Sequence, residues 1–121
     1  MIHTAEERSG WEETAAEQSF LKVLPMESIG FLPRCVGKEE ALEELSFLAW
    51  RGGCVTDRTE LLKDMKKRES LEGTGVGEGI AIPHARTVGV RSPCMAALVL
   101  HGGLAFDSWD GLPVRLLFLI A

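Results

Sequence analysis

Residues 68–86 read RESLEGTGVGEGIAIPHAR, and this stretch decides which fold the sequence predicts. It runs from the end of a predicted helix, through a glycine-dense turn, into a short apolar strand, and it delivers His84 between Pro83 and Ala85. Pro83 fixes its own backbone torsion and biases Ile82 towards an extended shape, so the imidazole is presented in a defined direction. An unperturbed imidazole has a pKa of about 6.5 and is a good nucleophile near neutral pH. A histidine held in this way between two arginines suits the acceptance of a phosphoryl group.

Five other residues of the stretch are candidates to contact that group. Arg68 and Arg86 could offset the charge of the phosphoryl oxygens through charge-assisted hydrogen bonds. Thr74 could donate its hydroxyl, and the backbone amides of Gly75 and Gly77 could form an anion-binding nest. Each candidate also has a structural alternative, because an arginine can pair with a nearby acid and a threonine can simply shape a turn. Positioning and charge stabilisation would dominate catalysis at such a site.

Periodicity on both sides of the stretch predicts an α+β fold. Apolar residues between positions 41 and 49 recur at helical spacing, and Gly52-Gly53 is a natural stop for that helix. Asp57 followed by Glu60 is a capping-box pattern at the start of a second helix. The expected order is strand, helix, helix and then three strands. The strands predicted outside the histidine stretch are Ile29 to Phe31, Met95 to Leu100 and Val114 to Ile120.

The stretch 68–86 closely resembles the active-site signature of the fructose/mannitol-type EIIA domains of the bacterial phosphotransferase system (PTS). The resemblance covers roughly Ser28 to Ala121. It implies an α/β/α layered fold, with a mixed sheet flanked by helices. It also implies that His84 receives a phosphoryl group from phospho-HPr and passes it to a cysteine of a sugar-specific EIIB domain during sugar uptake. No metal or other cofactor is expected at this step.

Two other functions remain open under the same resemblance. The chain could be a regulatory module of the nitrogen-related PTS branch, in which the phosphorylation state of His84 controls binding to a target protein. It could also be a binding domain that keeps the fold and has lost turnover. Neighbouring genes would distinguish sugar uptake from nitrogen regulation, since an adjacent EIIB or membrane EIIC favours sugar uptake.

The sequence departs from the family after the last predicted strand. EIIA domains continue into a helical C-terminal part, whereas this sequence stops at Ala121, so we expect those helices to be missing. Family members often place a second histidine at the start of that part, and His101 lies in the wrong place to inherit the role. We expect His101 to be a surface or turn residue. One sheet face would lack its cover, which predicts homo-oligomers through an exposed apolar face.

Two segments differ in composition. Residues 1–25 are acidic and are expected to form a leader or linker, and His3 within them is given no role. Residues 26–121 are expected to form one truncated EIIA-type phosphocarrier domain. The chain is long enough for a single core.

Composition narrows the class of function further. The net charge of −5 argues against nucleic acid as a partner, because nucleic-acid binding needs a basic face. No apolar run approaches the roughly 20 residues that a membrane span needs, so no membrane insertion is expected. The cysteines at 35, 54 and 94 include no CxxC pair, and histidines and cysteines never occur at metal-ligand spacing. These features predict a cytoplasmic protein without a metal site.

Overall fold

The computed structural model describes residues 22–121, which form an α+β fold with a mixed five-stranded sheet and two helices. Most of the predicted acidic leader therefore lies outside the described residues. The predicted order of elements is confirmed, with one short additional strand because part of the glycine-dense segment pairs within the sheet. The elements are β1 (Ile29–Leu32), α1 (Lys38–Arg51), α2 (Arg58–Leu71), β2 (Gly75–Gly77), β3 (Ile80–Ala81), β4 (Met95–Leu104) and β5 (Val114–Ile120).

The ends of both helices follow their sequence signals. Helix α1 stops at Gly52, and Gly53 adopts a φ of +92°, a conformation that glycine reaches without a steric penalty. At the start of α2, the Asp57 carboxylate accepts a hydrogen bond of 3.0 Å from the Glu60 amide, as the capping pattern predicts. The Asp57 amide donates to the carbonyl of Gly89 at 3.0 Å, which ties this helix start to a distant loop. In residues 22–121 no helix has both the length and the apolar character needed to cross a bilayer.

The strand order across the sheet is β1-β4-β5-β3-β2. Strand β4 pairs parallel with β1 and antiparallel with β5, and β3 pairs parallel with β5 and antiparallel with β2. Strand β5 is therefore central, with the histidine-bearing segment on one side. This arrangement brings the end of β3 next to the end of β5.

Both helices pack against one face of the sheet. Ala96 pairs with Leu119 and Leu98 pairs with Leu117, and residues paired across two strands share a face. All four belong to a single buried cluster with apolar residues of both helices, among them Leu42, Leu45, Leu48, Leu61 and Met65. Burial of a leucine side chain is worth about 1.5–3 kcal/mol, so this cluster is a main source of stability.

The opposite face of the sheet is apolar and partly exposed within the described residues. It carries the pairs Ile29 with Ala97 and Phe31 with Val99. The Phe31 residue is 57% exposed, and Ile29, Val99 and Ile120 are exposed as well. An exposed apolar face was expected from the sequence.

The three cysteines are free thiols with different surroundings. Cys35 is exposed, Cys54 is half-buried and Cys94 is buried. Burial raises the pKa of the Cys94 thiol to about 12, and the neighbouring Cys54 adds to the rise. Cys94 therefore stays protonated at neutral pH and acts as a small apolar core residue.

Candidate functional site

The backbone around His84 is fastened to the end of β5. The Ile120 amide donates to the Pro83 carbonyl at 3.0 Å, and the Ala85 amide donates to the Ile120 carbonyl at 3.2 Å. Pro83 and Ala85 are buried, whereas the histidine between them is exposed. Since side chains alternate along an extended segment, this pinning turns the imidazole towards solvent. The presentation of His84 predicted from its proline neighbour therefore also depends on a strand more than thirty residues away.

Two hydrogen bonds define which nitrogen of His84 carries the proton. Nδ1 lies 3.0 Å from the carbonyl oxygen of Ile82, and that oxygen can only accept. Nε2 accepts from Nε of Arg68 at 3.1 Å, and a guanidinium can only donate. The arrangement assigns the proton to Nδ1 and the lone pair to Nε2. The nitrogen that can act as a nucleophile therefore faces the arginine.

Arg68 is held in place by its own helix. It lies in the last turn of α2, and its Nη1 donates to the carbonyl oxygen of Glu72 at 2.8 Å. This bond uses one edge of the guanidinium and leaves Nε–H directed at His84. The planar guanidinium thus joins the end of the helix to the imidazole.

Thr74 is buried and is bound to a buried carboxylate. Its amide donates to Glu69 at 2.9 Å, and its hydroxyl donates to the second oxygen of Glu69 at 2.7 Å. Lys38, at the start of α1, completes the group with Nζ 2.9 Å from the same carboxylate. The single hydroxyl proton of Thr74 is engaged here, so donation to a phosphoryl oxygen would require this bond to break.

The glycines of the stretch form a strand and pack against a loop. Gly75 and Gly77 lie in β2, and a side chain at Gly75 would meet the Ser108 hydroxyl. Gly77 has a φ of +93°, and a Cβ there would lie 2.8 Å from Nε1 of Trp109. Glycine is therefore needed at both positions for close approach.

Two adjoining surface pockets share Arg68 and His84. The structure brings Thr74 and Gly75 to the first pocket and Arg86 to the second. Gly77 and the exposed His101 of β4 line neither. The first pocket is also lined by Glu72, Gly73, Val76, Ile82 and Trp109, and the second by Asp64, Lys67 and Leu71.

Trp109 and Glu69 also contribute to the site, although neither is among the site residues predicted from the sequence. The Trp109 indole donates to the carbonyl of Val76 at 2.9 Å, across 33 positions of the chain. No local pattern marks such a pair. Glu69 directly follows Arg68 in the sequence, and this adjacency does not predict the contacts of its carboxylate. The carboxylate in fact reaches Thr74 and Lys38.

Residues 22–121 match the family model described as phosphoenolpyruvate-dependent sugar phosphotransferase system, EIIA 2. The chain is 41% identical over 98 residues to the fructose-specific EIIA component of Haloferax volcanii, covering 81% of this chain and 64% of that protein. It is also 41% identical over 83 residues to a nitrogen regulatory protein of Pseudomonas aeruginosa, covering 69% of this chain and 54% of that protein.

A solved structure shows the same fold. It is the complex of enzyme IIAMTL and phosphorylated enzyme IIBMTL from Escherichia coli, with a TM-score of 0.66 and 32% identity. The match covers 79% of this chain and 67% of that one. The chain spans less than two thirds of the length of each of the two sequence relatives named above.

Proposed function

The chain belongs to the EIIA 2 family of the phosphoenolpyruvate-dependent sugar phosphotransferase system, and from this premise we propose that it is a phosphocarrier domain that uses His84. The observation that carries the proposal is the pair of hydrogen bonds on the imidazole. Ile82 holds the proton on Nδ1, and Arg68 lies 3.1 Å from the lone pair on Nε2. A nucleophile in this state needs no separate base.

The transfer consists of two substitutions at phosphorus. In the first, the Nε2 lone pair of His84 attacks the phosphorus of a phosphohistidine on an HPr-like donor. The donor's P–N bond breaks, and its electron pair returns to the donor's imidazole. In the second, a cysteine thiolate of an EIIB domain attacks the same phosphorus, and the electron pair of the broken P–N bond returns to Nε2. The proton stays on Nδ1, hydrogen-bonded to the Ile82 carbonyl, in both steps, so neither substitution needs an acid or a base from the protein.

The cationic groups beside His84 stabilise the transferred charge. Arg68 donates to Nε2 before the reaction and moves its N–H to a phosphoryl oxygen as the new bond forms. Arg86, from the adjoining pocket, supplies a second positive charge. Of the two glycines predicted to form an anion nest, Gly75 lines the pocket of His84 and is assigned the backbone contact to phosphate. Thr74 and Gly77 shape the β2–β3 hairpin that carries it.

A nitrogen-regulatory role is the second candidate, and the 41% identity to a nitrogen regulatory protein favours it. In that case the phosphorylation state of His84 changes the affinity for a target protein. The same chemistry serves both functions up to the phosphorylated intermediate. They differ in the acceptor, because only the first requires transfer to an EIIB cysteine.

The test begins with phosphorylation of the chain by phosphoenolpyruvate, Enzyme I and HPr, followed by intact mass. We expect one acid-labile phosphoryl group on the wild type and on His101→Ala, and none on His84→Ala. His101 is a matched control because it is exposed and lines neither pocket. No adduct on a folded wild-type chain, or an adduct that persists on His84→Ala, would overturn the proposal.

A chase with EIIB then separates the two candidates. Loss of the phosphoryl group from His84 to an EIIB cysteine supports sugar uptake. A phosphorylated chain that keeps its group in the presence of EIIB, and binds a regulatory target with altered affinity, supports the second candidate.

Residues 26–121 act as the phosphocarrier domain, with the preceding residues as a leader or linker. The free thiols of Cys35, Cys54 and Cys94 suit a cytoplasmic location. The exposed sheet face around Phe31 joins two copies of the chain in a homo-oligomer.

A further inference from the structure

Trp109 combines unusual exposure with a fixed position next to the reactive histidine. It is 81% exposed and lines the same pocket as Arg68 and His84. We propose that Trp109 is the docking anchor for the protein that delivers the phosphoryl group to His84. This inference rests on the proposed phosphocarrier function and names a determinant of partner recognition.

The indole is held on two sides. Its N–H donates to the Val76 carbonyl at 2.9 Å, which fixes the edge of the ring. The ring also lies against Gly77, where a Cβ would come within 2.8 Å of Nε1 and 3.1 Å of Cε2. The polar edge is therefore satisfied and the rest of the ring faces solvent. An aromatic side chain held in this way loses little entropy when a partner covers it.

The adjoining residue strengthens this fixation. The Asp110 carboxylate accepts from the Glu78 amide at 2.8 Å and from the Leu112 amide at 3.1 Å. The bond from Glu78 fastens the loop that carries Trp109 to the β2–β3 hairpin, and the bond from Leu112 closes a turn within the loop itself. The position of the ring relative to His84 is set by backbone contacts of that hairpin.

Apolar and cationic groups surround His84 together. Val76 and Leu71 are both exposed. Val76 lines the first of the two pockets that contain His84, and Leu71 lines the second. Contiguous apolar exposure beside a reactive group is typical of a protein contact, and tryptophan is enriched among the residues that dominate binding energy. A small phosphate compound has no apolar surface that could cover these exposed side chains.

The charges indicate what the partner presents. Among the side chains lining the two pockets, the cationic ones are Lys67, Arg68 and Arg86, and the acidic ones are Asp64 and Glu72. The surroundings of His84 are therefore more positive than the chain as a whole, whose net charge is −5. The complementary partner carries an anionic phosphoryl group next to an apolar patch that covers the indole. A phosphohistidine-bearing donor protein has this chemistry.

The test compares a protein donor with a small one on the same variants. Phospho-HPr must dock, whereas phosphoramidate reaches His84 by diffusion alone. The measured quantity is the ratio of kcat/KM with phospho-HPr to kcat/KM with phosphoramidate. We expect Trp109→Ala to lower this ratio by about 10-fold or more. Trp50→Ala is the matched control, because Trp50 is 51% exposed and lines neither pocket, and it should leave that ratio unchanged. Trp109→Phe keeps one aromatic ring but loses the N–H bond and part of the contact area, so its ratio should fall less than that of Trp109→Ala.

Three other outcomes would contradict the docking role of Trp109. If phospho-HPr phosphorylates the wild type and Trp109→Ala with the same ratio to phosphoramidate, the docking role is wrong while the carrier function stands. An equal loss with both donors would also overturn docking, since it indicates damage to the pocket. If the wild type accepts a phosphoryl group from phosphoramidate but not from phospho-HPr, the proposed donor is wrong and the docking role falls with it. Thermal unfolding of each variant shows whether it is folded.

Discussion

At the scale of single residues, the proposed reaction depends on where one proton sits. The Ile82 carbonyl 3.0 Å from Nδ1 and the Arg68 donor 3.1 Å from Nε2 select the tautomer with its lone pair towards the pocket. The opposite tautomer would place an N–H against a guanidinium and leave the carbonyl facing a lone pair. Both contacts would then be repulsive, so the state of His84 follows from its two neighbours.

Replacement of Arg68 tests this arrangement. We expect Arg68→Ala to slow single-turnover phosphorylation by phospho-HPr about 100-fold, because one donor aimed at the developing charge is removed. Arg68→Lys should recover only part of the rate, since an ammonium cannot reach His84 and the Glu72 carbonyl with one planar group. Rapid-quench kinetics measures both variants.

Arg115→Ala is the control, because Arg115 is exposed and lines neither pocket. A rate for Arg68→Ala equal to that of this control would contradict the role of Arg68. Full recovery by lysine would show that charge alone matters.

At the scale of elements, the glycine-rich hairpin is held by a buried charge group and by a loop. Glu69 of α2 accepts from Lys38 of α1 and twice from Thr74, so the two helices and the start of the hairpin share one carboxylate. On the other side, Asp110 and Trp109 bind the hairpin backbone. These contacts fix the wall of the pocket beside His84.

Removal of the Glu69 carboxylate should destabilise the fold strongly. Glu69→Ala leaves the buried Thr74 groups and the half-buried Lys38 without their acceptor, and we expect a loss of about 3 kcal/mol in the free energy of unfolding. Urea unfolding measures it. Glu39→Ala is the control, since Glu39 is exposed and its ion pair with Lys66 spans 3.9 Å, and it should cost less than about 0.5 kcal/mol. Equal losses in the two variants would contradict the role of Glu69.

The clamp at Asp110 should make stability depend on pH. Hydrogen bonds from the amides of Glu78 and Leu112 lower the pKa of Asp110 below its ordinary value of 3.8. A folded-state pKa below the unfolded one stabilises the fold fully above the unfolded value, and this contribution is lost as pH falls through the folded value. The difference in unfolding free energy between the wild type and Asp110→Asn should therefore be largest near neutral pH and shrink below about pH 4. A difference that is constant from pH 7 to pH 3 would count against the charged clamp.

At the scale of the whole molecule, the sheet separates two kinds of surface. One face is buried by the helices, and the other exposes apolar side chains within the described residues. The pockets at His84 lie where the end of β3 meets the end of β5. A second copy bound to the exposed face is the association that we propose for the chain.

A charge placed on that face should prevent the association. We expect the wild type to show a concentration-dependent dimer in sedimentation velocity and Phe31→Glu to remain monomeric, because desolvation of a carboxylate opposes burial of the face. Leu112→Glu is the control, since Leu112 is similarly exposed but lies in the loop before β5. A monomeric wild type over the whole concentration range, or a dimer that survives Phe31→Glu, would contradict the proposal.

Local patterns in the sequence were enough to predict most of the elements and to single out His84 as the candidate phosphoryl acceptor. The stop at Gly52-Gly53, the cap at Asp57 and the apolar strands depend on residues a few positions apart, so local patterns were sufficient to predict them. The exception was the segment of Gly75 and Gly77, predicted as a turn and found as a strand. It pairs with β3 and packs against the distant loop of Ser108, a contact that no local pattern indicates.

The assembly of the site depends on contacts that form only in the folded chain. Arg68 and His84 are 16 positions apart, and Trp109 and Val76 are 33 apart, so their contacts exist only once the sheet and the helices have packed. The tautomer of His84, the acceptor of the Thr74 hydroxyl and the exposed indole all follow from such contacts. Side-chain direction in a hydrogen bond is set by both partners, and a sequence pattern specifies only one of them.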